Sequence, residues 1–230
     1  MKFSIIIPAY NEEKTIEEII RRAKAADIGK IEKEFIVVDD GSTDKTREII
    51  KAIPGIKYVF HEQNLGKGGA VKTGFQEATG DIAIIQDADL ECDPEDYASL
   101  IKPISSDCAD VVYGSRFITG KPRRVFSFHR YLANIFLTSL SNFFTNLSLT
   151  DMETCYKVFT KDVYKKLEPL LKSRRFGIEP ELTARVAKLK ARVYEVGISY
   201  YGRDYDGGKK INWKDGLAAI WHIIKFNLFS

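Results

Sequence analysis

Short apolar runs alternate with amphipathic stretches along the first 115 residues. The runs Phe3–Ile7 and Phe35–Val38 end at turn-forming residues, which is typical of buried parallel strands. Residues 15–26, between them, carry isoleucines at helical spacing. The alternation predicts strands at 3–7, 35–38, 56–60, 82–85 and 109–114, and helices at 15–26, 44–53, 67–78 and 94–101. This rhythm predicts an α/β fold in which helices cover both faces of a mostly parallel sheet.

The pattern changes after Gly114. Residues 131–149 predict a helix whose broad apolar face is interrupted by Asn and Ser, and it could pack in the core or lie on a membrane surface. Residues 213–229 predict a C-terminal amphipathic helix, either docked on the core or lying at a membrane interface. Between these two, the pattern predicts a helix within 173–193, a strand at 193–201 and a loop at 202–210. Neither amphipathic stretch is expected to span a bilayer.

Charge is distributed unevenly along the 230 residues. Residues 1–115 contain 14 Lys and Arg against 22 Asp and Glu, a net charge of −8, whereas residues 116–230 contain 21 against 10, a net charge of +11. Scattered surface charge would explain this, but the asymmetry favours an acidic half that manages a metal and a basic half that meets an anionic acceptor or a membrane. The chain carries no recognised nucleic-acid motif, so we expect no nucleic-acid partner.

The cysteines indicate a reducing compartment. Cys92, Cys108 and Cys155 are odd in number and have no CxxC spacing, so we expect neither a disulfide framework nor a zinc site. The N-terminal residues lead directly into the first predicted strand, so we expect no signal peptide. We therefore expect the protein to be cytoplasmic.

Acidic clusters follow two of the predicted strands. Asp39 and Asp40 follow the second strand, and Asp87 and Asp89 follow the fourth. Ligands of open α/β sheets bind at the carboxyl ends of the strands. Asp87 and Asp89 are two residues apart, so both can face the same side of an extended segment. Paired oxygen ligands suit Mg²⁺ or Mn²⁺, which takes further ligands from phosphates, so this pair predicts a nucleoside diphosphate ligand.

Two familiar nucleotide motifs are absent from the sequence. The glycine-rich stretch 66–73 is not a P-loop, because Val71 stands where that motif needs glycine before Lys72. No GxGxxG follows the first strand, which disfavours a dinucleotide oxidoreductase. We expect Gly68 and Gly69 to let the backbone approach a ligand or a neighbouring helix closely.

Four motifs follow one another along the first half of the chain: Ile5–Glu12, Val37–Asp44, Asn64–Gly68 and Gln86–Leu90. In this order they resemble the family-2 inverting glycosyltransferases, which have the Rossmann-like GT-A fold. Two later motifs, Gly114–Arg116 and Thr150–Lys157, resemble the polyprenyl-phosphate sugar synthases, the dolichol-phosphate mannose and glucose synthase group. The resemblance covers about residues 3–215 and implies a single GT-A domain over 1–230, in which 1–115 binds the nucleotide sugar and 116–230 faces the acceptor and membrane.

The resemblance also implies roles for individual residues. The donor site would be formed by Pro8, Ala9, Tyr10, Glu12, Val37, Asp39, Lys67, Gly68, Asp87, Ala88 and Asp89. Within it, Asp39 would bond the base or ribose, and Lys67 and Gly68 would lie near it. Asp87, Asp89 and Glu91 would hold Mg²⁺ or Mn²⁺, with Glu91 where the family often has Gln. Arg116 and Arg130, with Arg123 as a further candidate, would face the acceptor phosphate, and Arg203 and Lys209 would lie on a loop closing over the diphosphate. Asp89, Arg116, Asp151 and Arg203 are the expected catalytic residues, while Asp151, Glu179 and Glu181 remain alternative bases.

The function implied by the resemblance is transfer of a hexose to a dolichyl or undecaprenyl phosphate. GDP-mannose and UDP-glucose are the expected donors, and a UDP-N-acetylhexosamine is also compatible. The enzyme would bind peripherally to the cytoplasmic face of a membrane, and a membrane-embedded partner subunit remains open. The main alternative is a saccharide or protein hydroxyl acceptor, which would need a general base. A nucleotidyltransferase is disfavoured because no Gly-rich, Arg-containing loop follows the first strand, and a non-catalytic nucleotide-sugar sensor would not need the acidic pair.

Overall fold

The computed structural model describes residues 1–118, 120–125, 127–175, 177–202 and 213–229, with side chains of the last range described from Gly216. The α-helices are α1 Ile16–Ala25, α2 Thr46–Ala52, α3 Lys67–Glu77, α4 Tyr97–Ser105, α5 Phe128–Thr145, α6 Lys161–Leu167, α7 Ile178–Lys188 and α8 Trp213–Leu228. The strands are β1 Lys2–Ala9, β2 Glu32–Asp39, β3 Lys57–Phe60, β4 Ile82–Ile85, β5 Val111–Ser115, β6 Lys157–Thr160 and β7 Val193–Gly197.

The strands form one mixed sheet in the order β3-β2-β1-β4-β6-β5-β7. Only β6 runs antiparallel to its neighbours, β4 and β5, so the prediction of a mostly parallel sheet is confirmed. Ala9 lies opposite Asp39 in the pairing of β1 with β2, and Ile6 lies opposite Ile85 in the pairing of β1 with β4. The loops after β1, β2 and β4 therefore leave the sheet at the carboxyl ends of these strands, where the sequence places both acidic clusters.

Two apolar layers, one on each face of the sheet, form the core. Helices α1, α2 and α4 cover one face, through residues such as Ile19 and Tyr97. Helices α3, α6 and α7 cover the other, through residues such as Phe75 and Leu182. The isoleucines of β1 at positions 5–7 are fully buried between the layers. Burying each such side chain contributes about 1.5–3 kcal/mol, so the predicted arrangement of helices on both faces is also the main source of stability.

The sequence pattern did not predict β6 and α6. The short run from Lys157 to Thr160 begins with a lysine and looks unlike a buried strand. In the folded chain Lys157 is buried, and its ammonium group donates to the backbone oxygen of Thr154 and lies 5.2 Å from the ring centre of Tyr113. These partners offset the cost of burying a charge and let the strand enter the sheet.

Asp93 begins the helical segment after β4, as the sequence predicted. Its side chain accepts a hydrogen bond from the backbone nitrogen of Glu95 at 3.1 Å, and one 3₁₀ turn, Pro94–Asp96, follows. Helix α4 then continues to Ser105, beyond the predicted end at 101, with Pro103 inside it.

Helix α5 exposes its apolar side and buries polar residues. Thr138 and Ser141 are its buried positions, whereas Phe128 and Phe143 are 67% and 80% exposed. The neighbouring helix α8 packs on α5 and α7 and exposes Trp221. The core alternative therefore does not describe α5, and the membrane-surface alternative stays a prediction. Among the described helices, none combines the length and apolarity needed to cross a membrane. The exposed apolar residues of the two helices are Phe128, Leu132, Ile135, Phe136 and Phe143 on α5, and Leu217, Trp221 and Leu228 on α8.

Candidate active site

Hydrogen bonds between the loops after β1 and β2 form one wall of the site. The Asn11 nitrogen donates to Ser42 Oγ at 2.9 Å, and Asn11 Oδ1 accepts from the Thr43 nitrogen at 2.9 Å. Asn11 adopts a left-handed conformation, with φ of 54°, which asparagine tolerates better than most residues. Of the sequence-predicted donor residues, Pro8 and Ala9 end β1, whereas Tyr10 and Glu12 lie in the loop after it, and Tyr10 is exposed.

Asp39 is the last residue of β2, and only one of its two carboxylate oxygens accepts hydrogen bonds from described residues. The carboxylate is fully buried, and Oδ2 accepts from Arg47 Nε at 2.5 Å and from the Ser42 nitrogen at 3.2 Å. Oδ1 is buried without a hydrogen-bond partner among the described residues. A buried acceptor without a partner is costly, and it suits a donor group on a nucleobase or ribose. The side chain of Val37, also predicted as a donor residue, lies instead within the apolar core, as does that of Ala88.

Asp40 anchors the loop between β3 and α3. Its carboxylate accepts from the backbone nitrogens of Leu65 at 2.8 Å and Gly66 at 2.7 Å, and it contacts His61 Nδ1 at 2.8 Å. The loop delivers Gly68, whose nitrogen donates to the Arg174 oxygen at 3.0 Å. The close approach expected at Gly68 is thus made to the 173–174 segment of this chain.

A buried hydrogen-bond network supports the acidic pair. The hydroxyls of Tyr97 and Tyr156 each donate to Gln86 Oε1 at 2.6 Å. The side-chain amide of Gln86 in turn donates to the backbone oxygen of Asp87 at 3.0 Å. These bonds fix the turn that carries Asp87 and Asp89. Sequence reasoning missed this network, because Tyr97 and Tyr156 come from distant parts of the chain.

Lys67 joins the acidic pair to α7. Its Nζ lies 2.8 Å from a carboxylate oxygen of Asp87 and 2.8 Å from Glu179 Oε1. Burial by itself lowers the pKa of Lys67, but the charges of Asp87 and Glu179 outweigh it and raise the pKa well above the ordinary 10.5. Lys67 was predicted to lie near the base or ribose, and in the structure its charge lies at the acidic pair.

The acidic pair offers two carboxylates to a metal. Asp89 Oδ1 accepts from the Glu91 nitrogen at 3.0 Å, and Glu91 Oε2 accepts from the hydroxyl of Tyr200 at 2.8 Å. Within the described part of the chain, no group of three or more His, Cys, Asp or Glu side chains is arranged to hold a metal ion. Two carboxylates nevertheless fit Mg²⁺ or Mn²⁺, which completes its shell with water and substrate phosphate oxygens. Glu91 as a third ligand stays a prediction.

Arg116 and Asp151 form a buried ion pair beyond the end of β5. The backbone nitrogen, Nε and Nη2 of Arg116 donate to the Asp151 carboxylate at 3.0, 2.7 and 2.8 Å. Asn134 of α5 adds a bond to Asp151 Oδ1 at 3.3 Å. Burial disfavours the charge of Arg116, but Asp151 outweighs it, and the pKa of the guanidinium is raised. The two predicted catalytic residues are therefore brought together, with Asp151 orienting Arg116.

Glu153 is a site residue that the sequence analysis did not single out. Burial, and next the charge of Glu179, raise the pKa of Glu153 to about 7. Its Oε1 has no hydrogen-bond partner among the described residues. Glu181, a predicted base candidate, is fully buried and accepts from the backbone nitrogens of Lys172 and Ser173. It therefore stabilises the segment before α7.

Of the other arginines predicted to face an acceptor, Arg123 lies in the segment before α5 and Arg130 lies within α5. Arg123 pairs with Tyr200 in an isolated bridge, and its guanidinium lies 5.3 Å from the ring centre of Phe117. Arg130 is the third residue of α5. Arg203 and Lys209 lie outside the described residues.

The fold resembles those of solved GT-A glycosyltransferases. Glucosyl-3-phosphoglycerate synthase from Mycobacterium tuberculosis, in complex with Mn²⁺, UDP and glucosyl-3-phosphoglycerate, aligns with a TM-score of 0.74 and 21% identity over 98% of this chain and 78% of that chain. The same enzyme in complex with Mg²⁺ and UDP aligns with a TM-score of 0.73 and 21% identity over 98% of this chain and 79% of that chain. A mixed sheet with helices on both faces and acidic strand ends thus defines the class as GT-A-like.

The sequence profile of Glycosyl transferase family 2 matches residues 4–168, and the chain belongs to this family. A UDP-N-acetylglucosamine–dolichyl-phosphate N-acetylglucosaminyltransferase from Methanococcus voltae is 28% identical over 97% of this chain and 95% of that protein. A dolichol-phosphate mannosyltransferase from Pyrococcus furiosus is 37% identical, but the match covers 57% of this chain and only 38% of that protein. The resemblance identified from the motifs is confirmed.

Proposed function

We propose that this glycosyltransferase moves a sugar from a nucleoside-diphosphate sugar to the phosphate of a polyprenyl lipid of the dolichyl or undecaprenyl type. In this proposal residues 1–115 bind the donor, and residues 116–230 bind the acceptor and meet the membrane. The observation that carries it is the contact between the Arg116–Asp151 pair and α5, the helix with an exposed apolar side. An anion site beside an apolar surface suits a lipid phosphate better than a sugar hydroxyl.

Two contacts tie the anion site to α5. Asn134 bonds to Asp151, and the ring of Tyr131 lies 5.5 Å from that of Phe117, the residue after Arg116. The exposed apolar side chains of α5 begin at the same end of the helix, at Phe128. A lipid whose phosphate is held by Arg116 could therefore lay its isoprenoid chain along α5.

Basic residues before α5 fit the same surface. Lys121, Arg123 and Arg124 are exposed. Each basic residue near an anionic membrane contributes about 1 kcal/mol of binding free energy, and an adjacent apolar helix face adds to this. Association with the cytoplasmic face of a membrane is therefore part of the proposal.

The ion pairs of the site favour a phosphate acceptor over a hydroxyl. A lipid phosphate is already an anion at neutral pH and needs no general base. Arg116 engages both carboxylate oxygens of Asp151. Glu179 is paired with Lys67 through Oε1, and its Oε2 has no hydrogen-bond partner among the described residues. A hydroxyl acceptor would need a base, and the pKa of about 7 at Glu153 makes that residue the described carboxylate best suited to the role.

The proposed roles follow from the placement of each residue. Asp39 would hydrogen-bond the base or ribose through its unused oxygen. Asp87 and Asp89 would hold Mg²⁺ or Mn²⁺, whose charge would stabilise the leaving diphosphate. Arg116, oriented by Asp151, would hold the acceptor phosphate against the anomeric carbon, with Arg123 and Arg130 adding positive charge. From the resemblance, Arg203 and Lys209 would bind the diphosphate. Losing one such charge-assisted contact should cost about 2–4 kcal/mol in the transition state.

The test is a transfer assay with the full chain and vesicles that contain a polyprenyl phosphate. Radiolabelled GDP-mannose, UDP-glucose and UDP-N-acetylglucosamine are supplied in turn, with Mg²⁺, Mn²⁺ or a chelator. We expect metal-dependent labelling of the lipid from one donor, and a loss of at least about 100-fold in Asp89→Asn and Arg116→Gln. Asp110→Asn is the matched control, because Asp110 pairs with Arg192 at the opposite end of β5.

Two results would count against the proposal. Labelling of a saccharide or peptide hydroxyl in place of the lipid, abolished by Glu153→Gln, would establish the alternative acceptor class. Equal lipid labelling with the chelator present would exclude the proposed role of Asp87 and Asp89 as metal ligands.

A further inference from the structure

Two of the three cysteines meet in the folded chain. Cys92 Sγ and Cys155 Sγ lie 2.8 Å apart, and the two residues are 63 positions apart in the sequence. Both are free thiols. Cys92 is buried, whereas Cys155 is only partly buried. Cys108 is an exposed thiol whose Sγ contacts the backbone oxygen of Ser106, so it offers an internal comparison.

The cysteine pair lies between two segments that carry the site. Cys92 follows Glu91 on the loop of the acidic pair, and it forms an isolated bridge with Tyr200. Cys155 precedes Tyr156, whose hydroxyl supports Gln86 beneath the acidic pair. The segment of Cys155 also carries Asp151, which orients Arg116. A covalent bond between the two sulfur atoms would therefore tie the proposed metal-binding loop to the proposed acceptor loop.

We propose that Cys92 and Cys155 are a modification site at which a small-molecule disulfide, such as oxidised glutathione, generates a reversible internal disulfide. Cys155 is the more accessible thiol, so its sulfur attacks the reagent, forms a mixed disulfide and releases one molecule of reduced thiol. The sulfur of Cys92 then attacks Cys155 Sγ, forms the internal disulfide and releases the second molecule of thiol. The protein loses two protons and two electrons, which reduce the reagent to two thiols.

The disulfide should also slow sugar transfer, an effect that rests on the proposed function. Bonded sulfur atoms lie closer than 2.8 Å, so forming the bond draws the two side chains together and fixes the two loops relative to each other. Displacing reacting groups by about 1 Å can cost about 100-fold in rate. We therefore expect the oxidised protein to be at least about 10-fold slower than the reduced protein, with full recovery after treatment with dithiothreitol.

The first experiment detects the bond without any activity assay. The protein is incubated with oxidised glutathione, alkylated and digested without reduction, and its peptides are measured by mass spectrometry. We expect a peptide pair linked through Cys92 and Cys155 in the native protein and in Cys108→Ser. Cys92→Ser and Cys155→Ser should lack it, and Cys92→Ser should retain glutathione on Cys155. No linked peptide in the native protein, or linkage through Cys108 alone, would overturn the proposal.

The second experiment measures transfer by the oxidised and reduced forms of Cys108→Ser, which avoids linkage between molecules. A fully linked protein that is as fast as the reduced form would overturn the coupling to turnover. A reduced protein without transfer activity would count against the proposed function, whereas the linked peptide would still establish the disulfide.

Discussion

The ammonium group of Lys67 lies between two carboxylates, so Lys67→Met should have a large effect on stability. Side-chain exposure is 16% for Lys67, 24% for Asp87 and 8% for Glu179, so water screens these charges weakly. Removing one partner of a buried ion pair typically costs 3–5 kcal/mol, because the remaining charge is left in a poor solvent. Asp87 keeps some contact with water, so we expect a loss of about 3 kcal/mol in the free energy of unfolding.

Urea unfolding at pH 7 measures this loss, and the double variant Lys67→Met/Glu179→Gln separates its causes. Neutralising Glu179 removes the more buried of the two unpaired charges, so the double variant should recover at least about 1 kcal/mol. Lys166→Met is the matched control: its partner Asp162 lies 2.7 Å away, but the side chains are 57% and 74% exposed. That surface pair should contribute less than about 1 kcal/mol.

A loss no larger than that of Lys166→Met would refute this reasoning. If the variant instead kept its stability and bound the nucleotide more weakly, Lys67 would act at the base or ribose, as the sequence predicted. No recovery in the double variant would show that Glu179 is not the charge that Lys67 neutralises.

Three further predictions concern other parts of the site. Gly68→Ala places a Cβ 2.1 Å from the backbone oxygen of Ser173, so α3 and the 173–174 segment must separate, and thermal unfolding should show a loss of about 1–3 kcal/mol. Asp40→Asn weakens bonds to two backbone nitrogens, and guanidinium unfolding should show a loss of about 2–3 kcal/mol. The pKa of Glu153 rises on folding from 4.5 to about 7, so the native state binds its proton more tightly. The stability that this proton contributes is fully present below pH 4.5 and is lost as pH rises to 7, a decrease of up to about 3 kcal/mol in the free energy of unfolding. Urea unfolding at pH 5 and pH 8 should show a smaller decrease in Glu153→Gln than in the native protein.

The first two of these predictions have a control variant, and the third has a result that would contradict it. Gly216→Ala should not destabilise, since nothing lies within 4 Å of the added Cβ, and an equal loss at both glycines would contradict the steric argument. Asp27→Asn alters one exposed hydrogen bond in a turn, which Asp27 accepts from the Gly29 nitrogen. An equal loss of unfolding free energy in this variant would contradict the argument that the Asp40 bonds hold the loop before α3. An unchanged pH dependence in Glu153→Gln would mean that the carboxyl is not desolvated.

Local patterns in the sequence predicted the parts of this protein that depend on near neighbours. Apolar runs of four or five residues located the strands of the first half, and isoleucine spacing located α1, because side-chain periodicity reflects which face is buried. The role of Asp93 as a helix cap could likewise be predicted, since its hydrogen bond joins residues only two positions apart. The Asp87–Asp89 pair followed from its position after a buried strand.

The sequence by itself determined the α/β architecture and the placement of the acidic residues at the carboxyl ends of the strands. Tertiary structure alone decided which side chains neutralise them, because Lys67 meets Glu179 and Cys92 meets Cys155 only after distant segments pack together. It also decided that the apolar side of α5 faces outward, since α5 packs on α7 and α8 and its buried positions are the polar residues Thr138 and Ser141. Hydrophobic periodicity indicates that a helix has an apolar face, but only packing determines what that face meets.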